Sequence, residues 1–444
     1  MSTPKLTNKF AIGIKTETTQ NTPVVPGATD YMLVEDLEID PVGEQVQRNA
    51  KSSTLDRQPH VIGKKHYAVK FKTEVKGSGV AGVAYAPLAA ALKAAGFTET
   101  INSGLEAIGA AVADGNNHGV SPAPVVEIGT PAFSAKSGTV RLTLISRTLT
   151  SPEAATFEAI FYPGDGSAAL IGEAAVSDSA FTDVAFNGDL TSLTLTTNDP
   201  DAGGTGLPVS TWQVGDVWTF AYTSADEVNC RYTLADAAAS SNFFGPGKSA
   251  TIEGYKDGHK HIIGGCIGTV KFSAAKPGER VMADFEFQGL YADPTDAAFP
   301  TQTYSQVLPP KFESATVTIG GLASTHIISK FDIDPGWTIT MRDDASAAYG
   351  VGGFCLTDRD PKGGCDPEAV PLTTDTIIKD FMDAAEAATT IVVGTTAGNI
   401  VTFSMPKTQY TGAPYEDKSG IVTHNLGLKF NSNAGASSIV ITFS

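Results

Sequence analysis

The last quarter of the chain, residues 331–444, most constrains the fold, because it holds several short strand-like segments and one helical segment. It closes on Ser437-Ser438-Ile439-Val440-Ile441-Thr442-Phe443-Ser444. Chain ends usually fray unless they are tied down, for example by pairing into a sheet. We therefore expect a terminal strand that pairs within the subunit or across a subunit contact. This quarter contains no set of residues typical of an active site, which favours a structural protein.

The composition favours a β-rich protein with more than one domain. A chain of 444 residues is too long for one ordinary core, so two or three domains are expected. Charged residues make up only 18%, and there are 45 Gly and 25 Pro, as in proteins with many turns. The net charge of -17 disfavours binding to nucleic acid or to an anionic membrane. An acidic wall would still let DNA slide past without sticking.

Cysteine content and apolar patterning indicate the compartment. Four cysteines are too few for a small disulfide scaffold. The first ten residues contain no apolar run typical of a signal peptide. No segment approaches the ~18 consecutive apolar residues that span a bilayer. We therefore expect cytoplasmic synthesis with reduced thiols and no membrane partner.

The first 125 residues are predicted to contain an arm, two strands and a helix. Residues 1–30 are polar, which predicts an extended N-terminal arm that orders only on contact with a partner. Residues 31–40 form a plausible strand, and 41–66 are predicted to be a long exposed loop. Alternation over 66–75 predicts a half-buried antiparallel strand. A helix is expected over 87–95, with Pro87 in its first turn and Gly96 as its left-handed cap.

Residues 126–224 differ in amino-acid composition from the sequence on either side. They lack Cys, His and Met, and their 3 basic and 11 acidic residues give a net charge of -8. Strand-like runs recur between turn residues at 140–145, 156–162, 192–196 and 217–222. Such spacing predicts an immunoglobulin-like (Ig-like) β-sandwich of roughly 100 residues. We expect this segment to be an inserted domain.

The rest of the chain alternates strands with one helix. Strands are predicted near 250–255, 260–272 and 280–291, with Asp257-Gly258 as a tight hairpin turn, and 292–310 is a Pro-rich connector. A helix is predicted over 377–388, capped by Asp375 or Thr376. The other predicted strands are 315–319, 329–334, 389–393, 399–405 and 421–430.

One glycine motif suggests a dinucleotide site. Gly77-Ser78-Gly79-Val80-Ala81-Gly82 matches G-x-G-x-x-G and has Glu99 about twenty residues further on. That mechanism needs a helix that begins inside the glycine loop, whereas Pro87 delays the helix. The preceding strand also alternates with charged residues, unlike a buried parallel strand. A flexible turn before a helix is the favoured interpretation.

No metal site or catalytic motif emerges. His259-x-His261 followed by Cys266 is not a closed zinc set. Cys355 and Cys365 form a local disulfide if oxidised, or are two reduced thiols. The acids that follow Cys355 do not match a calcium loop, because Lys362 stands at a ligand position. The chain has no G-x-S-x-G, H-E-x-x-H or G-x-x-x-x-G-K-[ST]. We therefore assign no catalytic, cofactor-binding or metal-binding residue and do not expect an enzyme.

Taken in order, a series of segments resembles the major tail tube proteins of long-tailed (siphovirus-type) bacteriophages and of gene transfer agents. The resemblance covers roughly 1–125 and 225–444, and 126–224 lies outside it. Its N-terminal segments are 14–23, 31–40, the turn Gly77-Ser78-Gly79 and the helix 87–97. The later segments are 264–270, 285–289, 358–361, 366–369, 398–399, 405–410 and 439–443.

The resemblance implies a mainly β subunit, a tail-tube-type β-sandwich or barrel with one or two flanking helices. Such subunits form hexameric rings that stack into a tube in the virion tail, assembled in the host cytoplasm. DNA passes through the channel during ejection without specific binding. Implied partners are further copies of the chain, tail tip and tail terminator proteins, and a tape measure protein in the lumen. No cofactor is implied.

The resemblance also assigns roles to segments. The N-terminal arm and the 41–66 loop would contact neighbouring rings, and 126–224 would be a decoration on the tube exterior. Candidate inter-ring residues are Glu44, Arg48, Lys51, Arg57 and Lys64.

Two alternatives remain open at this point. A surface or adhesive β-sandwich that binds glycans would explain the Thr- and Ser-rich strands, but it is expected to carry an export signal. A nucleotide-dependent oxidoreductase would use the loop 77–82.

Overall fold

The structure is a computed structural model, and strands and helices account for 55% and 6% of it, which confirms the mainly β fold. Two compact units are present: unit 1 comprises 1–101 and 230–444, and unit 2 comprises 102–229, which extends further at both ends than the predicted insertion 126–224. The described residues are 5–6, 8–51, 59–103, 107–108, 112–113, 125–128, 138–148, 154–163, 170–177, 182–185, 192–196, 213–223, 228–234, 248–320, 326–371, 373, 376–433 and 437–444.

In the described residues, the elements are antiparallel strands, two α-helices and one short 3-10 helix, Ala28–Asp30. The helices are α1 (Ala86–Ala94) and α2 (Ile377–Met382). The strands are β1 (Phe10–Thr16), β2 (Tyr31–Met32), β3 (Glu35–Val46), β4 (Val61–Glu74), β5 (Phe97–Ser103), β6 (Ala107–Ile108), β7 (Val112–Ala113), β8 (Val125–Ile128), β9 (Gly138–Thr148), β10 (Ala154–Pro163), β11 (Leu170–Ser177), β12 (Thr182–Ala185), β13 (Ser192–Thr196), β14 (Val217–Thr223), β15 (Val228–Leu234), β16 (Ala250–Lys256), β17 (His259–Ala274), β18 (Met282–Leu290), β19 (Thr295–Asp296), β20 (Thr316–Thr318), β21 (Phe331–Asp334), β22 (Trp337–Asp343), β23 (Val351–Arg359), β24 (Lys362–Cys365), β25 (Glu386–Val393), β26 (Val401–Gly412), β27 (Tyr415–Lys418), β28 (Ile421–His424), β29 (Leu426–Phe430) and β30 (Val440–Phe443).

Two long strands organise unit 1. The first half of β17 pairs with β16, which pairs in turn with β1, and its second half pairs with β18 and β21. Strand β18 continues through β4 to β3. Strand β26 pairs with β25, β29 and β30, and β24 links β29 back to β21. The terminal strand β30 lies between β26 and β15, so its partners are within the subunit.

The predicted alternation over 66–75 is confirmed. Tyr67, Val69, Phe71, Thr73 and Val75 are all buried, whereas the residues between them are at least partly exposed. The Phe71 ring stacks 5.4 Å from that of Phe285 and 5.9 Å from that of Phe287 on the neighbouring strand. The core of unit 1 is therefore built on the inner faces of β4 and β18.

Helix α1 is buried on nearly every side, and its predicted start and end are confirmed to within one residue. Pro87 lies in the first turn, and Gly96 has a φ of +84° just after the helix. That backbone region is costly for any residue with a Cβ. None of the helices in the described part of the chain is long and apolar enough to cross a membrane.

Three segment predictions are wrong. Residues 10–16 of the predicted N-terminal arm form β1, where Ile12 and Ile14 are fully buried beside β16. Residues 41–46 and 61–66 of the predicted loop 41–66 are instead strands of a β-hairpin, because β3 runs to Val46 and β4 starts at Val61. The helix predicted over 377–388 ends at Met382, since the Ala-rich residues after it enter β25, which pairs with β26.

The described residues of unit 2 form antiparallel strands in two sheets. One sheet has the order β11-β10-β9-β14-β6, with β7 also paired to β14, and the other has the order β12-β13-β8. The strands predicted at 140–145, 156–162, 192–196 and 217–222 are confirmed as β9, β10, β13 and β14. The Ig-like topology of the segment stays a prediction.

Candidate assembly surface

The most distinctive surface of unit 1 is the long hairpin formed by β3 and β4. Strand β4 has 14 residues, roughly 45 Å at about 3.3 Å per residue. Its second half is part of the core, between β3 and β18. Its first half, 61–66, has no buried residue, and β3 buries only Ile39, which packs on Gly254 of β16. The hairpin is thus anchored at one end and open to solvent at the other.

Three aliphatic side chains are exposed at the open end, which we call the hairpin end. They are Val46, Val61 and Ile62, and Val46 pairs directly with Val61. Grouped exposed aliphatic residues in an otherwise polar surface are typical of an interaction site. The hairpin end is therefore the candidate assembly surface.

The predicted inter-ring residues have different positions on this hairpin. Glu44, Arg48 and Lys51 are exposed at or next to the hairpin end. Lys64 instead makes an intramolecular ion pair, with its Nζ 2.9 Å from Asp343 Oδ2 and 3.9 Å from Glu44 Oε2. The hydrogen bond to Asp343 raises the pKa of Lys64 above its usual value. Arg57 lies outside the described residues.

A second hairpin, β22–β23, holds the middle of the long hairpin in place. Besides the Lys64 pair with Asp343, the Lys65 N–H donates to the Tyr349 carbonyl at 3.4 Å. The rings of His66 and Phe354 lie 5.6 Å apart. Only the part beyond these contacts is open to a partner.

The backbone of the glycine turn 77–79 packs closely against residues 398–399. The Gly77 N–H donates to Asn399 Oδ1 at 2.9 Å, and the Gly79 N–H donates to the Gly398 carbonyl at 3.0 Å. A Cβ on Gly77 would collide with the Gly398 carbonyl. These two amides are thus already engaged, and α1 begins only at Ala86, well after the turn. The geometry does not fit a pyrophosphate cradle, in which free amides point at the ligand.

The residues considered as metal ligands form no metal-binding group in the described residues, and those considered as disulfide partners are not bonded. His261 Nδ1 lies 3.3 Å from the Tyr67 hydroxyl, whereas Cys266 is buried and donates to the Ile263 carbonyl. Cys355 and Cys365 are free, buried thiols. Within the described ranges, no three His, Cys, Asp or Glu residues are grouped so as to hold a metal ion.

Sequence reasoning missed a buried carboxylate directly after β1. Glu17 accepts hydrogen bonds from Ser249 Oγ at 2.6 Å, Thr251 Oγ1 at 2.9 Å, and the N–H groups of Gly265 at 2.7 Å and Asn21 at 2.9 Å. A buried charge is tolerated when its hydrogen-bonding capacity is filled in this way. Its donors lie more than 230 residues away, apart from Asn21, so no local sequence signal marks it.

A second buried carboxylate, Glu253, binds Lys260 across the β16–β17 hairpin at 2.9 Å. The hydroxyls of Tyr255 and Tyr31 lie 3.1 and 3.4 Å from its Oε2. Burial, together with the nearby Tyr255 and Glu253, raises the pKa of Tyr31 far above its usual value. Both carboxylates join strands that are distant in sequence, and we assign them to the fold rather than to chemistry.

No protein-family model matches the chain, and a search of curated proteins finds none with significant similarity.

Proposed function

We propose that this chain is the structural subunit of a phage-type tail tube, with stacked, hexameric rings around a channel for DNA. The observation that carries the proposal is the long β3–β4 hairpin, which is anchored in the core and exposes aliphatic residues at its far end. The ordered segments that resemble tail tube proteins supply the ring number, the virion location and the other tail partners.

The hairpin suits repeated assembly. A surface that meets a different surface on the next copy gives a heterologous contact, which closes into rings or continues as a filament. An anchored hairpin loses little conformational freedom when it docks, so less of the contact free energy is offset by ordering. The chain contributes no chemistry in this proposal, and DNA passes without specific binding because unit 1, which forms the tube, has a net charge of -5 and does not attract phosphates.

Unit 2 is the decoration in this proposal, and its attachment allows a direct test. Asn102 Nδ2 donates to Asn229 Oδ1 at 3.0 Å, so the two points at which the chain enters and leaves unit 2 are adjacent. A short Gly-Ser linker can therefore replace the residues between them. We expect the shortened chain to fold and to form the same rings or tubes as the full chain.

The experiment is negative-stain electron microscopy of the full chain and of the shortened chain across a concentration series. Rings or hollow tubes about ten nanometres wide, a few domain diameters, are expected from both. Monomers at every concentration would contradict the proposal. Glycan arrays and cofactor titrations would then test the adhesive and oxidoreductase alternatives.

A further inference from the structure

We propose that a second exposed hairpin, β27–β28, with the two segments beside it, receives the hairpin end of another copy of this chain. The inference rests on the proposed function, since it names the partner surface for the assembly contact. We call this second surface the acceptor patch, and it consists of Ile327, Glu368 and residues 415–422.

The acceptor patch brings exposed aliphatic residues together from three segments. The Glu368 N–H donates to the Ile327 carbonyl at 2.9 Å, and the Ala369 N–H donates to the Val422 carbonyl at 2.9 Å. These bonds place Ile327 and the β27–β28 hairpin on either side of 368–369. Ile327, Ile421 and Val422 are each more than half exposed. An apolar surface of the same kind as the hairpin end is thus left uncovered.

The patch is held rigidly. Asp366 is buried and accepts hydrogen bonds from the N–H groups of Ser329 and Lys330 at 2.9 and 2.8 Å. It also binds the Lys418 ammonium of β27, which contacts Ser329 as well. Although burial opposes ionisation, the hydrogen bonds from Lys418 and Ser329 keep the pKa of Asp366 below its usual value. The hairpin β27–β28 is therefore fixed to the body of unit 1.

Charge complementarity selects the occupant. The Lys418 charge is used by Asp366, so Glu368, Glu416 and Asp417 leave the patch with net negative charge. The hairpin end presents Arg48 and Lys51 as exposed cations beside one exposed carboxylate, Glu44, so its net charge is positive in a chain whose net charge is -17. Opposite charge around two apolar surfaces favours their contact and opposes contact of either surface with itself.

Two other groups of exposed apolar residues lack this complement. Val80 and Val83 lie in a turn without an acidic residue, and Met382 lies on a helix that carries both Lys379 and Asp380. Unlike these two surfaces, the acceptor patch has an acidic excess. A contact between it and the hairpin end is heterologous, so it repeats from copy to copy.

Cysteine cross-linking tests the contact on the full chain. The four native cysteines are buried, so introduced surface thiols report alone. We expect the double variant Val46→Cys/Val422→Cys to give a ladder of disulfide-linked chains on oxidation. An equimolar mixture of the two single variants should stop at dimers, because each chain then has one introduced thiol. The matched control Val46→Cys/Val214→Cys, whose second thiol lies on unit 2, should give no ladder.

Charge exchange tests the same contact without cross-linking. Arg48→Glu/Lys51→Glu and Glu416→Lys/Asp417→Lys should each raise the concentration needed for assembly by about tenfold. The two changes combined should restore most of the loss, because the charge pairs form again with reversed sign.

The outcomes separate this inference from the proposed function. Rings or tubes without a cross-link between positions 46 and 422, or with an equal ladder in the control, overturn the acceptor patch and leave the tail tube proposal standing. A single Val46→Cys variant that links to itself also overturns it, because the contact is then isologous. Absence of any assembly across the concentration series overturns both proposals.

Discussion

Removing the aliphatic surface of the hairpin end should weaken assembly without unfolding the chain. Val46 and Val61 lie directly opposite each other on one face of the hairpin and are 47% and 53% exposed. Complete burial of such a side chain contributes about 1.5–3 kcal/mol, so covering the exposed half of both contributes about 2 kcal/mol. Val46→Thr/Val61→Thr keeps both residues β-branched, which suits a strand. We therefore expect the critical concentration for assembly to rise roughly 30-fold.

The assay is sedimentation of assembled material across a dilution series, with electron microscopy of the pellets and urea unfolding of the unassembled chain. A matched control is Val214→Thr/Ile145→Thr on unit 2, because those side chains are 57% and 41% exposed. The control should assemble like the unmodified chain, and both variants should unfold within about 0.5 kcal/mol of it per substitution. An unchanged critical concentration in the hairpin variant, or an equal rise in the control, would refute the reasoning.

Three other predictions concern the fold. Gly96→Ala should destabilise unit 1 by about 2–4 kcal/mol, since its positive φ disfavours alanine and a Cβ there would lie 2.7 Å from Trp337 and Leu356. The control Gly215→Ala in unit 2, where φ is also positive but the space is open, should cost about 1 kcal/mol. Urea unfolding compares the two variants. Folding lowers the pKa of Asp366, so the ionised side chain contributes to the free energy of unfolding. That contribution is fully present above the ordinary Asp pKa of about 3.9 and is lost as pH falls through the folded value. Asp366→Asn should therefore flatten the acid limb of a plot of urea midpoint against pH. A thiol-specific reagent should label no cysteine of the native chain and all four in denaturant, because all four are buried, and rapid native labelling would contradict their burial.

Local sequence signals predicted the elements whose structure is decided by near neighbours. Apolar and polar residues alternate over 66–75 because one face of the strand, with Phe71, packs on Phe285 of the neighbouring strand, while the other face points outward. Asp257 and Gly258 have φ values of +42° and +96°, as the predicted tight hairpin turn requires. Gly96 likewise takes the left-handed conformation expected after α1. In each case the physical constraint lies within a few residues of the signal.

Distant pairing explains what the sequence did not reveal. The open part of the β3–β4 hairpin has exposed residues on both faces, so it lacks the alternation that marks a half-buried strand. The Ala-rich residues after Met382 favour a helix locally, but β26 recruits them into a sheet. The Asp366–Lys418 pair joins segments 52 residues apart, so the acceptor patch is visible only once the chain is folded.

The division of charge between the units bears on how copies of this chain come together. Unit 2 contains 3 basic and 15 acidic residues, a net charge of -12, which leaves -5 for unit 1 although unit 1 is more than twice as long. Repulsion between charges is screened beyond about 8 Å at physiological salt, so acids in unit 1 near a contact oppose assembly most directly. In the proposed tube, holding most of the net negative charge in unit 2 lets unit 1 self-associate while the assembly stays charged enough to remain dispersed. Tubes of the chain without unit 2 should therefore form but bundle, which light scattering would detect. Dispersed tubes of the shortened chain would assign the solubility to unit 1 instead.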